Sequence, residues 1–303
     1  MKTSVELSGR PNDLPRGSKI SLRRLIIVCR LFGTAPVSFV SCGPDIVQST
    51  YVWRIYSLVL SALTLVMNYL ASPTFYLNGR LLTAPMAISI KVSSMSLFVC
   101  HVNSAVYGEK LAKIINCLMR CDENTRKKIV IFCWYECFIV VSYFFSAAMT
   151  VKLAMRWGIH SIMTLSSRFL WDLMLEVGPS LCELLFLVFA HILAVKLKTL
   201  SLKIPQHFSP AWRESITEQY QHIWQLARAV NQVFEIHLLF FMLKVFVQMI
   251  CGLYLIVMSE VGGLFKVALA LRVIVIGSKL AVILHVCDAI AKAVSIVCPF
   301  FFL

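Results

Sequence analysis

Residues 209–259 read SPAWRESITEQYQHIWQLARAVNQVFEIHLLFFMLKVFVQMICGLYLIVMS and hold two helical patterns in direct succession. The first half repeats apolar residues three or four positions apart, between charged and amide side chains, which predicts an amphipathic helix. The second half, Leu238–Met258, is apolar on nearly every side and long enough to cross a bilayer. Ser209 and Pro210 are typical of a helix N-cap and first helical position. Because no proline follows until Pro299, we predict one unbroken helix of about 75 Å.

The composition is that of a polytopic membrane protein. Of the 303 residues, 59% are hydrophobic and the mean hydropathy is +0.79, whereas soluble domains are about 45–50% apolar. We predict an all-α membrane helical bundle with six full spans and a C-terminal stub that is too short to cross. The predicted spans are Ile55–Ala71, Pro85–Val106, Ile129–Val151, Trp171–Val195, Leu238–Met258 and Val267–Cys287.

The basic residues predict the orientation of this bundle. Twenty of the 29 Lys and Arg residues lie on one side of the spans and five on the other, so the positive-inside rule places the N-terminus in the cytoplasm. The net charge of +14 follows from this topology, and we expect no nucleic-acid partner. The chain then divides into a cytoplasmic N-terminal arm with a short amphipathic helix (1–54, flexible over its first 24 residues), transmembrane helices 1–4 (55–195), a cytoplasmic anchor segment (196–237), transmembrane helices 5 and 6 (238–287) and the stub (288–303).

No pattern of catalytic residues is present. The seven histidines are scattered singly without metal-ligand spacing, and neither a phosphate-binding loop nor a nucleophile-elbow motif occurs. By the predicted topology, none of the eleven cysteines lies in an external loop, so no extracellular disulfide framework is expected. We therefore expect no enzymatic activity, no cofactor and no metal ion.

Four segments resemble those of the insect gustatory receptor family: Arg30–Val37, the pair Tyr56-Ser57, Trp224–Phe234 and His285–Ala293. The resemblance implies a receptor in the plasma membrane of sensory neurons, one subunit of a homo- or hetero-tetrameric, ligand-gated cation channel that senses a small-molecule tastant. It also implies a seventh, pore-lining helix with a Thr-Tyr…Gln-Phe motif, and the chain ends at Leu303, before that helix. A non-conducting auxiliary subunit or a degenerate receptor is therefore an alternative. A membrane transporter ranks lower, because only Gly178-Pro179 breaks a span and no matching break is seen elsewhere.

Ionisable residues inside spans are costly and commonly functional. We predict a ligand pocket in the outer halves of spans two to six, suited to a small, mainly apolar molecule with a few hydroxyl or amine groups. Its predicted residues are Lys91, Tyr143, Phe144, Trp171, Asp172, Glu176, Tyr254 and Arg272. The alternative is that such charges pair with one another or snorkel to the membrane surface. We expect Lys244 to snorkel, whereas Lys279 lies in mid-span and needs a partner such as Glu183 or Glu136.

The resemblance also implies that the amphipathic half of the long helix anchors the subunit on the cytoplasmic side of the membrane. Membrane lipid is expected to surround the spans. Its apolar stripe is expected both to pack within the subunit and to contribute to the subunit interface. The stripe residues are Trp212, Ile216, Tyr220, Ile223, Val230 and Phe234. The alternative is that the stripe packs only on the inner ends of the other helices.

Overall fold

The computed structural model describes residues 16–39, 47–76, 83–119, 162–203, 210–258 and 263–297, most of which are helical. The helices are α1 (Arg16–Leu31), α2 (Tyr51–Tyr76), α3 (Thr83–Met119), α4 (Ile162–Lys203), α5 (Pro210–Met258) and α6 (Gly263–Val297). Two short strands, β1 (Val37–Phe39) and β2 (Val47–Ser49), pair antiparallel with Ser38 opposite Gln48. The predicted third span, Ile129–Val151, lies outside the described residues, and with it Glu136, Tyr143 and Phe144.

Four of the described helices are long and apolar enough to cross a membrane. The qualifying segments are Tyr51–Tyr69, Leu173–Leu202, Glu214–Met258 and Lys266–Ile296. They overlap the predicted first, fourth, fifth and sixth spans. The predicted second span lies within α3, whose buried polar residues, among them Ser93, His101 and Asn103, lower its hydropathy. The prediction of a helical membrane bundle is confirmed.

The long helix predicted from the 209–259 stretch is present as α5. It is continuous over 49 residues, which corresponds to about 74 Å. In its first half Ile216, Ile223, Val230 and Phe234 are buried. Their spacing of seven or four positions puts them on one face of the helix. That face packs on the rest of the chain, as expected of an amphipathic helix that covers a core.

α4 is the central helix of the bundle. In an 18-residue apolar window of its span, Leu173–Leu202, 78% of the residues are buried within the chain, whereas the share is 17–33% in the windows of the other three spans. α3, α5 and α6 pack around it, and the rings of Phe186 and Phe189 lie 5.7 and 5.6 Å from that of Phe234 on α5. Polar side chains on α4 therefore face protein rather than lipid and need partners inside the bundle.

The N-terminal segment differs from the predicted flexible arm. α1 begins at Arg16, inside the stretch expected to be flexible, and the turn after α1 is hydrogen-bonded to α2 and α3. Ser57 Oγ donates to the carbonyl of Gly33 at 2.9 Å, and Nε2 of His101 lies 2.9 Å from the carbonyl oxygen of Phe32. Nothing in the sequence predicts β1 and β2, because three-residue strands are too short for alternation to be detected.

Candidate functional site

Charged residues on α4 and α6 recur at the same interval. Glu176 and Glu183 on α4 are seven positions apart, and so are Arg272 and Lys279 on α6. Since seven residues are close to two helical turns, each pair shares one face of its helix. Where α4 and α6 pack together, the acids of one helix therefore meet the bases of the other at two levels, about 10 Å apart.

The first level is the Glu176 cluster, formed by Glu176, Lys244, Gln248 and Arg272. One oxygen of the Glu176 carboxylate accepts hydrogen bonds from Arg272 Nη2 at 2.5 Å and Gln248 Nε2 at 3.0 Å. The other oxygen accepts from Lys244 Nζ at 2.9 Å. Gln248 also lies 3.1 Å from Ser93 Oγ, which brings α3 into the same network. Three helices thus meet at one carboxylate, and α3 joins the network through Gln248.

The second level is the Glu183–Lys279 pair. Lys279 Nζ donates to the Glu183 carboxylate at 2.8 Å and to Ser180 Oγ at 2.6 Å. Both side chains are buried, with 3% and 5% of their surface exposed. The expectation that Lys279 has a partner is therefore confirmed, and the partner is Glu183, one of the two acids that the sequence left open. The position of each residue along its predicted span is informative here, since Glu183 and Lys279 both lie near the middle of their spans.

The prediction that Lys244 snorkels is wrong. Its side chain is 5% exposed and ion-paired with Glu176. The reason is the register of the antiparallel helices α4 and α5: Glu176 is level with Lys244, and two turns farther along, Cys182 is level with His237. From the predicted spans, Glu176 and Lys244 are expected near opposite membrane faces. The ends of each span are predicted for one helix at a time, so they carry no information on how two helices align with each other.

The remaining predicted pocket residues are distributed over three helices. Lys91 is exposed on α3, whereas Trp171 on α4 and Tyr254 on α5 are half-buried. Asp172 lies on α4, but its side chain is outside the described set. The structure brings Glu176 and Arg272 into contact. The alternative, in which these charges pair with one another, therefore describes their geometry in the structure.

Arg272 differs from Lys244, the other cation of the Glu176 cluster, because a third of its side chain is exposed, while that of Lys244 is 5% exposed. Its guanidinium carries five N–H donors in a planar fork, so it can hold Glu176 and still donate to a second acceptor. The cluster also contains two cations for one carboxylate among the described residues. Because a guanidinium offers only donors, Arg272 suits a ligand that carries a hydrogen-bond acceptor.

Sequence reasoning missed several residues of the site. Lys244 and Gln248 are i, i+4 on α5, and this polar pair within an apolar span was a signal that they share a face. A second group, Cys100, Cys182 and His237, comes from three helices and has ligand atoms within 4.8 Å of one another. No local spacing in the sequence indicates this group, because its members are 82 and 55 positions apart.

A cavity of about 540 Å³ lies between α4, α5 and α6, apart from the Glu176 cluster. Three residues of the predicted anchor stripe line it: Tyr220, Ile223 and Val230. Tyr220 is half-buried and the side chain of Trp212 is outside the described set. The burial of the other stripe residues agrees with packing inside the subunit, and their part in a subunit interface stays a prediction.

Comparisons with known proteins agree on the fold. A family model described as 7tm Chemosensory receptor matches residues 22–302. The structure of the insect olfactory receptor OR5 from Machilis hrabei is similar, with a TM-score of 0.72 and 15% identity over 91% of this chain and 82% of that one. The same receptor in complex with eugenol gives a TM-score of 0.70 and 15% identity over 91% and 81%. No curated protein matches the chain. At 15% identity the structural likeness concerns the fold alone.

Proposed function

Since the chain belongs to the 7tm chemosensory receptor family, we propose that it is a gustatory-type receptor, one subunit of a ligand-gated cation channel that senses a small-molecule tastant. Its place is the plasma membrane of sensory neurons, with the N-terminus in the cytoplasm and lipid around the spans. It works as a homo- or hetero-tetramer with other chemoreceptor subunits. The observation that carries the ligand-sensing part is the partly exposed Arg272, bonded to a buried carboxylate in a network that links four helices.

The ligand site is proposed around Arg272 and Glu176. Lys91, Trp171, Asp172 and Tyr254 lie on the helices that contribute to it, and Tyr143 and Phe144 belong to the predicted third span. Aromatic residues suit the apolar body of a ligand, while the guanidinium suits a hydroxyl or carbonyl oxygen. The eugenol complex of OR5 supports a small-molecule ligand for a receptor of this fold.

The Glu176 cluster also supports a route from ligand binding to gating. A ligand oxygen that draws the guanidinium of Arg272 away from Glu176 leaves that carboxylate with fewer partners in a buried site, which is costly. The ion pair between Glu176 on α4 and Arg272 on α6 is then weakened. A ligand shifts a conformational equilibrium only as far as it binds the two states differently, and a competed ion pair supplies such a difference.

The test is electrophysiology on the full chain expressed in a heterologous cell, with and without a co-expressed chemoreceptor subunit. A panel of small tastants is applied, and the active one is compared on wild type, Arg272→Ala and Lys292→Ala. Lys292 is the matched control, because it forms an exposed ion pair with Asp288 on the same helix. Loss of a charge-assisted hydrogen bond, about 1.5–3 kcal/mol, predicts a rise of roughly tenfold or more in the half-maximal concentration for Arg272→Ala only.

Surface labelling of each variant separates impaired folding from impaired binding. Unchanged dose–response curves for both Arg272→Ala and Glu176→Gln at normal surface levels would rule out the proposed pocket. A current from the chain alone supports a conducting subunit. A current that requires the co-expressed subunit supports a heteromeric assembly, in which this chain is a conducting or an auxiliary subunit.

A further inference from the structure

A group of thiols and imidazole lies at the junction of three helices. Cys100 on α3, Cys182 on α4 and His237 on α5 are 0%, 3% and 0% exposed. One sulfur or ring nitrogen from each lies within 4.8 Å of those of the other two. The group shares no residue with the Glu176 cluster.

His237 is the second, separate observation. Both of its ring nitrogens are buried and have no hydrogen-bond partner among the residues that the structure describes. Burying a polar group without a partner costs about 1–3 kcal/mol, so a buried imidazole with two unpaired nitrogens requires an explanation. The nearby Glu183 does not supply one, since its carboxylate is hydrogen-bonded to Lys279.

We propose that Cys100, Cys182 and His237 bind one Zn²⁺ ion. Cysteine sulfur and histidine nitrogen are the ligands zinc prefers, at about 2.3 Å and 2.0–2.1 Å, so ligand atoms on one ion lie roughly 3.5–3.8 Å apart. The ligand atoms of the observed group lie within 4.8 Å of one another, so they would have to move closer by at most about 1 Å. A water molecule or another ligand fills the fourth coordination position.

Charge favours zinc at this buried place. Binding releases the two thiol protons to solvent, and the two thiolates then balance the two positive charges of the ion, while the imidazole stays neutral. The resulting complex has no net charge, which a low-dielectric interior tolerates best. Monovalent copper with the same ligands would carry a net negative charge.

The ion would act as a structural link. It joins α3, α4 and α5 directly beside the Glu183–Lys279 pair, since Cys182 precedes Glu183 on α4. Its binding free energy adds to the stability of the folded chain. This proposal departs from the expectation of no metal ion, which is based on the spacing of the histidines. Spacing along the sequence does not reveal this group, because its ligands come from three separate helices.

The experiment measures metal content in the full-length chain, purified in detergent from cells grown with zinc. Mass spectrometry of the metals should find about one zinc ion per chain in wild type and in Cys251→Ser, whose buried thiol lies on α5 outside the group. Cys182→Ser and His237→Phe should retain at least fivefold less. A strong chelator should lower the melting temperature of wild type and Cys251→Ser, and leave that of Cys182→Ser unchanged.

A measurement on unmutated protein covers the case in which variants do not fold. Chelator-treated wild type is given Co²⁺, and thiolate-to-cobalt charge-transfer absorption is expected with tetrahedral d–d bands. Absence of this absorption, equal zinc in wild type and Cys182→Ser, copper in place of zinc, or a Cys100–Cys182 disulfide in the intact mass would each overturn the assignment.

Discussion

At the scale of single residues, the two buried charge clusters show why position in the bundle matters more than residue type. Lys279 and Lys244 are both lysines in apolar helices, and both are about 95% removed from solvent on the side chain. Each is tolerated because a carboxylate of α4 lies within 2.9 Å. Lys292, with 74% of its side chain exposed, forms a similar pair that contributes little, because water screens it.

Glu183→Gln tests this difference. The substitution removes the carboxylate with which the buried Lys279 ammonium is ion-paired, and breaking a buried ion pair costs about 3–5 kcal/mol. Asp288→Asn, which breaks the exposed pair with Lys292, should change stability by less than about 1 kcal/mol. Thermal unfolding in detergent should show a large fall in melting temperature for the first variant and almost none for the second.

The double variant Glu183→Leu/Lys279→Met separates pairing from packing. Replacing both charges by apolar groups of similar size is commonly neutral or stabilising, so this protein should unfold near the wild-type temperature. If the double variant were as unstable as Glu183→Gln, the loss would come from packing, and the ion-pair interpretation would be wrong.

At the scale of whole elements, α1 ends in a motif that strongly favours glycine. The N–H of Thr34 bonds to the carbonyl of Cys29 at 2.9 Å and that of Gly33 to Arg30 at 3.0 Å, the two bonds of a Schellman C-cap. Gly33 has φ +70°. The cap therefore ends α1 and turns the chain toward β1 in one step.

Gly33→Ala should weaken this connection. A side chain in the left-handed region costs about 1–2 kcal/mol, and the added Cβ would lie 2.8 Å from Leu60 Cδ1 and 3.3 Å from a carbon of His101. Gly277→Ala is the matched control, since its Cβ would meet nothing within 4 Å in α6 and alanine favours a helix by about 0.5–1 kcal/mol. Thermal unfolding should therefore move in opposite directions for the two variants. Equal shifts would contradict the cap assignment.

At the scale of the whole molecule, sequence patterns predicted the helices much better than their mutual positions. The length of α5 follows from its periodicity and from the absence of proline. The position of Lys279 along its predicted span leaves two acids, Glu183 and Glu136, as possible partners. The contact of Lys244 with Glu176 was not predictable, because sliding one helix along another changes no local pattern. The same holds for Cys100, Cys182 and His237, which only tertiary packing brings together.

The topology itself is the remaining prediction at this scale. Positive charge is concentrated in the segments placed in the cytoplasm, so an N-glycosylation acceptor inserted after Trp157 should be modified in the endoplasmic reticulum, and one inserted after Lys203 should not. Glycosidase-sensitive mobility on a gel measures both, with Asn→Gln acceptors as controls. Both insertions lie beside long apolar helices, so the expected difference in glycosylation follows from the charge asymmetry alone. Modification after Lys203 and not after Trp157 would show that the bundle has the opposite orientation, with the amphipathic half of α5 outside the cell.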